Sequence, residues 1–182
     1  GTLNFFGVNF INSTDTLFQT GYNYSLSPKS SIAVIYTFDN FRYPQFPQTI
    51  AYHVVKFGYA RYVTGKLSFQ VAAGPSAVLL RGAFTGYANN ISWALDSSLN
   101  YRWDRTTLLL SYDRLVTAGS GVLVGAQTGH LQATIERKLS PRWRVSTSLG
   151  YATNGTLIPN SATLGIPRYN SWYAAVRFNH QI

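Results

Sequence analysis

The sequence predicts an all-β fold, a closed antiparallel barrel of about ten strands, on the strength of three observations. Long segments alternate strictly between apolar and polar residues. In residues 91–103, Ile91, Trp93, Leu95, Leu99, Tyr101 and Trp103 share one parity, while Ser92, Asp96, Ser98, Asn100 and Arg102 share the other. Four short polar turns, Ser27-Pro-Lys-Ser30, Thr64-Gly-Lys66, Asp104-Arg105 and Ser140-Pro-Arg142, recur with their basic residues 37, 39 and 37 positions apart, the period of a hairpin pair. Only 12% of residues are charged, 15% are aromatic, and the mean hydropathy is −0.04, so apolar residues are abundant but interleaved.

Taken in order, the strands are expected near residues 2–11, 16–26, 31–39, 52–63, 67–76, 90–103, 106–116, 125–139, 143–153 and 171–181. The apolar parity comprises Phe18, Tyr22, Tyr24 and Leu26, then Val34, Tyr36 and Phe38, then Val55, Phe57 and Tyr59, then Leu67, Phe69 and Val71. It continues through Leu108, Leu110 and Tyr112 to Val145, Leu149 and Tyr151. The opposite parity is polar and small, with Gln19, Gly21, Asn23, Lys56, Gly58, Ser68, Gln70, Gly74, Ser111, Asp113, Gln132, Thr134, Ser148 and Gly150 among its members. Connections near 12–15, 40–51, 77–89, 117–124 and 154–170 are expected to be the longer ones.

No run of about 18 apolar residues exists to form a membrane-spanning helix. A tilted strand needs only about 9 to 11 residues to cross a bilayer, and these segments are that long. A soluble barrel puts its apolar side chains inside and its charges outside. Here the polar face is rich in Gly and Ser, the aromatics gather at strand ends, and charge is too scarce for a solvated exterior, so the apolar face is expected to meet lipid. The architecture is then a transmembrane β-barrel spanning residues 1–182 as one domain, with short periplasmic turns and longer extracellular loops. Trp93, Tyr101, Trp103, Trp143 and Trp172 are its expected interface aromatics.

Trp103-Asp-Arg-Thr-Thr-Leu-Leu-Leu-Ser-Tyr-Asp-Arg114, Leu139-Ser-Pro-Arg-Trp143, Ser148-Leu-Gly-Tyr-Ala-Thr-Asn154 and Trp172-Tyr-Ala-Ala-Val-Arg-Phe178 resemble segments of bacterial outer-membrane β-barrel proteins. The resemblance extends over nearly the whole chain and is one of class, not of a single activity. It implies a bacterial outer-membrane location and a last strand carrying an assembly signal. His180 interrupts that strand's parity, and Ile182 stands where such proteins usually have an aromatic residue. The chain is similar to ten-stranded omptin-type surface proteases only in strand number, since it has no Asp-x-His and no Asp-x-Asp.

The net charge of +9 arises from dispersed residues, with no basic helix, which argues against nucleic acid and suits anionic lipid or lipopolysaccharide. Without Cys the chain has no disulfides, thiol nucleophile or Cys-based zinc site. With Gly at position 1 and no charged, apolar, small-residue leader before it, an exported precursor is expected to have lost its signal peptide already. His53 and His180 lack metal-ligand spacing, so no metal and no cofactor is expected. The stretch Ala118-Gly-Ser-Gly121 lacks the Lys-Ser/Thr of a phosphate cradle.

On the polar parity, Lys56, Asp96, Arg102, Asp113, Glu136, Arg144 and Arg177 form the expected lumen charge network, joined by Asp39 and Lys138. A symmetric hairpin around 117–124 would set Ser111 opposite His130 with Asp113 one diagonal step away, a serine, base and carboxylate arrangement without an identifiable oxyanion hole. Arg61, Arg114 and Arg137 fall on the lipid parity near strand ends, where they can reach headgroups.

The expected function is therefore non-enzymatic, with no catalytic residues: a narrow passive pore or a structural barrel. The alternative is a surface interaction protein that binds a protein partner through Tyr43-Pro-Gln-Phe-Pro47 and the loop from Leu157 to Tyr169. A second alternative is a hydrolase using Ser111, His130 and Asp113.

Overall fold

Alternation carries the described residues into nine strands: β1 (Thr14–Ser27), β2 (Ser30–Tyr43), β3 (Gln48–Tyr62), β4 (Leu67–Gly82), β5 (Gly86–Trp103), β6 (Thr106–Thr117), β7 (Ala126–Lys138), β8 (Trp143–Thr156) and β9 (Arg168–His180). The structure, a computed structural model, describes residues 14–44, 48–82, 86–117, 126–157 and 168–180. Among the described residues there is no helix, and the nine strands form one antiparallel sheet in sequence order. No ladder joins β1 to β9, so the described sheet is open. The strand expected over 2–11, the stretch 118–121, most of the loop 157–169 and Ile182 lie outside the described residues.

The four short turns fall where the short polar segments predict them. Ser27 accepts the Lys29 N–H and its hydroxyl meets that of Ser30, while Ser140 accepts the N–H groups of Arg142 and Trp143. Asp104 takes a φ of 48°, a left-handed conformation that Asp tolerates better than most residues.

Two of the connections expected to be long are short. Only residues 44–47 separate β2 from β3, and only 83–85 separate β4 from β5. The strands continue past their expected ends because their inward residues there are apolar. Phe41 and Tyr43 on β2, Ile50, Tyr52 and Val54 on β3, and Val78 and Leu80 on β4 pack with Ala94, Val116 and Leu157 into the buried core. Burying such side chains contributes roughly 1.5 to 3 kcal/mol each, more than the polar loop alternative offers.

The face holding this core is termed inner. Register assigns every other position: Phe38 faces His53, Phe57 faces Ala73, Phe69 faces Leu99, Leu99 faces Leu110, and Tyr151 faces Trp172, all on the outer face. The outer face is apolar and open, with Ile91 82%, Trp172 79% and Tyr22 71% exposed. The inner face has two zones. Its loop-side half, from β2 to β5, is the apolar core, whereas its turn-side half carries Ser31, Gln70, Ser98, Thr134, Ser146 and Ser148. Val116 and Leu157, on the outer parity of β6 and just past β8, depart from simple alternation and are buried in the core. The β5–β6 ladder stops at Leu95 and Arg114, and beyond it Gln127 donates to the Ser92 hydroxyl across the gap at 3.0 Å.

Pro75 in mid-strand supplies no ladder hydrogen bond. The β3–β4 pairing accordingly lapses between Val54↔Ser76 and Phe57↔Ala73. The backbones close together there, and a Cβ on Gly74 would overlap the Val55 carbonyl.

Candidate functional site

The chemistry-bearing side chains of the inner face form a belt across the sheet just turnward of the core. Lys56 on β3 forms an ion pair with Asp96 on β5, reaching over β4, where the inner residues Ala72 and Gly74 are small. Asp96 is directly opposite Asp113 on β6. Like charges in that position repel, and each carboxylate has a basic partner on its far side. Asp113 pairs with His130 on β7, Oδ1 to Nδ1 at 3.3 Å, and His130 Nε2 lies 2.9 Å from the Tyr173 hydroxyl on β9. A carboxylate only accepts, so Nδ1 carries the proton between His130 and Asp113.

Tyr173 spans β8 to make this contact. Its ring lies over Gly150, where a Cβ would collide with it, and stacks on the His130 ring with centroids 5.8 Å apart and planes 12° apart. The absence of a side chain at Gly150 is what lets the phenol lie flat against its neighbour strand. Tyr173→Phe is expected to lower folding stability by about 1 kcal/mol through loss of one hydrogen bond. Gly150→Ala is expected to cost more, about 1 to 3 kcal/mol, because the whole ring must leave its seat. Chemical denaturation of the two variants and their double mutant checks this, with the double mutant costing little more than Gly150→Ala alone.

The register differs by two residues from the symmetric hairpin. His130 faces Asp113, and Ser111 faces Gln132 on β7 and Ser98 on β5. Thr117 pairs with Ala126, so the connection is the eight residues 118–125 instead of a tighter loop. A two-residue shift keeps every side chain on its face, which is why alternation alone does not detect it. With both His130 nitrogens engaged by Asp113 and Tyr173, the ring makes no hydrogen bond to Ser111.

The other network residues lie closer to the turns. Glu136 Oε1 is 3.9 Å from Arg144 Nη1, Arg144 is directly opposite Lys138, and Arg177 is opposite Ser146. Arg102 is opposite Thr107, which is in turn opposite Glu136. Neutral inner groups satisfy one another: the Thr134 and Ser148 hydroxyls are 2.9 Å apart, and Thr128 donates to Asn154 Oδ1 at 2.9 Å.

Trp93, Tyr101 and Trp103 on β5, Trp143 on β8 and Trp172 on β9 are all on the outer face. Trp143 packs on His180 at 4.6 Å and Trp172 on Tyr151 at 4.4 Å between centroids. His53, also outward, meets the Tyr36 hydroxyl at 2.9 Å. Among the described residues no cluster of three or more His, Cys, Asp or Glu side chains is placed to hold a metal.

Charge is sorted by face. All 15 Lys and Arg residues and all 6 acids are described. Asp15, Asp39, Asp96, Asp113 and Glu136 are inward, as are Lys56, Arg102, Lys138, Arg144 and Arg177. The outer face carries Arg42, Arg61, Arg81, Arg114, Arg137 and Arg168 and no acid. Lys29, Lys66, Arg105, Arg142 and Asp104 occupy the short turns. Sequence reasoning missed the outward Arg42, Arg81 and Arg168, because it ended their strands before the loop side, and it missed the contact of Tyr173 with His130, which spans 43 positions. The signal present was the continued alternation of Phe41, Tyr43, Val78 and Leu80.

No protein-family model, curated protein or solved structure matches the chain.

Proposed function

We propose that this chain is a non-enzymatic integral outer-membrane protein, a structural β-barrel whose outer face meets lipid. The observation that carries this reading is the outer face itself, where large apolar side chains are exposed strand after strand while charge is confined to the ends. A soluble monomer rarely leaves an apolar patch larger than a few hundred Å² in water. Trp93 and Trp103 are ten residues apart on this face. At about 3.3 Å per residue they are about 33 Å apart along the strand, and at a tilt near 40° about 25 Å apart in height, the depth of a barrel's apolar band.

The inner face favours a structural barrel over a steady pore. Its loop-side half is filled by the core around Ile50, Val78 and Leu80, and its belt charges are mutually paired. A barrel of about ten strands has little lumen to spare once such side chains project into it.

The test is reconstitution into phosphatidylcholine vesicles brominated at defined depths. Tryptophan fluorescence is expected to be quenched most by labels near the headgroups, since the indoles occupy the band edges. Unquenched protein that remains folded in buffer without lipid or detergent would overturn the reading. Planar bilayers containing the inserted protein are expected to show no sustained conductance.

A further inference from the structure

Positive charge is concentrated at one end of the sheet. Ten of the 15 Lys and Arg residues lie in the short turns or within three residues of a strand's turn-side end, with two of the six acids, Asp104 and Glu136. That end therefore holds +8 of the net +9. Each short turn supplies one of these cations, and Arg61 and Arg137 point to the outer face. The other four, Arg102, Lys138, Arg144 and Arg177, are on the inner face.

Three of the inner cations converge on β7, β8 and β9. Two adjoining cross-strand rows form a patch, with Glu136, Ser146 and Arg177 in one and Lys138, Arg144 and Asn179 in the next. Directly opposite Cβ atoms in such rows are about 4.5 to 5.5 Å apart and diagonal neighbours about 7 to 8 Å, so the long side chains around Ser146 are within reach of one bound group. Lys138 and Arg144 are like charges directly opposite, an arrangement that destabilises a sheet unless something lies between them. The one carboxylate, Glu136, is 3.9 Å from Arg144, and neither Lys138 nor Arg177 has an ion pair among the described residues. Nor does any hydrogen bond among the described residues occupy the Ser146 hydroxyl or the Asn179 amide.

Three cations, a hydroxyl and an amide around a single acid leave a local excess of positive charge that a multiply charged oxyanion balances. Seated over the small Ser146, such a group puts opposite charge between Lys138 and Arg144 and turns their repulsion into shared attraction. Arginine forks meet phosphate oxygens through paired N–H donors, and two arginines flank this position.

We propose that this inner patch at the turn end of β7, β8 and β9 binds a small oxyanion of the phosphate or diphosphate class from the aqueous compartment on that side. Arg144 and Arg177 hold its oxygens, Lys138 supplies the third charge, and Ser146 and Asn179 donate to the remaining acceptors. The cations of the four turns draw the anion toward the patch. The site goes beyond the structural reading of the barrel and does not require that the outer face meet lipid.

The experiment titrates inorganic pyrophosphate into the full chain by isothermal calorimetry at about 150 mM salt, where long-range attraction is largely screened. The chain is held in phosphatidylcholine nanodiscs, or in buffer should it stay folded without lipid, with the same results expected. Saturable binding is expected. Arg144→Gln with Arg177→Gln is expected to weaken it about tenfold or more, and Arg61→Gln with Arg137→Gln, an equal loss of charge from the other face of the same end, to leave it within about twofold. Glu136→Gln, which frees Arg144, is expected to tighten binding about threefold, whereas Asp104→Asn, an equal gain of charge in a turn, leaves it within about twofold. A gain of affinity cannot come from misfolding, so this comparison stands even if the double arginine variant unfolds. Equal effects within either comparison, or no saturable binding below about 10 mM pyrophosphate, would overturn the site. Loss of pyrophosphate binding in nanodiscs containing phosphatidylglycerol would assign the patch to lipid headgroups and reject the soluble ligand.

Discussion

Leu99→Arg is expected to destabilise the inserted protein by about 2 to 4 kcal/mol, the cost of an arginine near the bilayer midplane on the lipid side of a barrel. Leu99 is on the outer face between Trp93 and Trp103, opposite Phe69 on β4 and Leu110 on β6. No acid shares that face, so the new guanidinium has no countercharge and must snorkel toward an interface. Ser98→Arg, one residue away, points inward among Gln70 and Ser111 and is expected to cost much less. Reversible urea unfolding in thin lipid vesicles measures both. Similar small changes for the two, within about 0.5 kcal/mol of wild type, are what a solvated surface gives, and they would sink the lipid-facing assignment.

Ile50→Ala is expected to cost about 2 to 5 kcal/mol. Ile50 is 0% exposed, paired with Phe41 on one side and Leu80 on the other, at the centre of the only apolar cluster among the described residues. Removing three carbons there forfeits their transfer energy and leaves a void that neighbouring strands, fixed by their ladders, close only in part. The same variant is expected to admit brief conductance events in planar bilayers that wild type lacks, because the cluster occupies the loop-side half of the interior. Wild-type stability combined with a silent bilayer trace would mean that the cluster neither holds the fold nor closes its interior.

Much of the sheet was legible because alternation is a direct physical consequence of the pleat. The parities of β5, β6 and β8 and the four turns follow from residues such as Trp93, Leu95 and Asp104 read singly. Strand ends were less legible. Pro44 and Pro47 and the run Gly82 to Gly86 read as long loops, yet Tyr43, Ile50 and Leu80 lengthen the hairpins by packing on one another, a long-range contact that no local rule contains. The belt was legible in its membership but not in its pairing. Lys56 and Asp96 are 40 positions apart, and Asp113 meets His130 only because residues 118–125 form a longer connection than symmetry suggested.

The seating of Tyr173 over Gly150 has a consequence for how the chain finds its pairing. Alternation forbids a slip of one residue, which would turn every side chain inside out, but it is indifferent to a slip of two. Moved two places along β8, the phenol would meet Ser148 or Ala152, each with a Cβ where the ring now lies. Lys56 crossing Ala72 and Gly74 toward Asp96 imposes a like condition on β3, β4 and β5. These two crossings act as keys cut for one notch each, and between them they reject the misregistered sheets that hydrophobic patterning would accept.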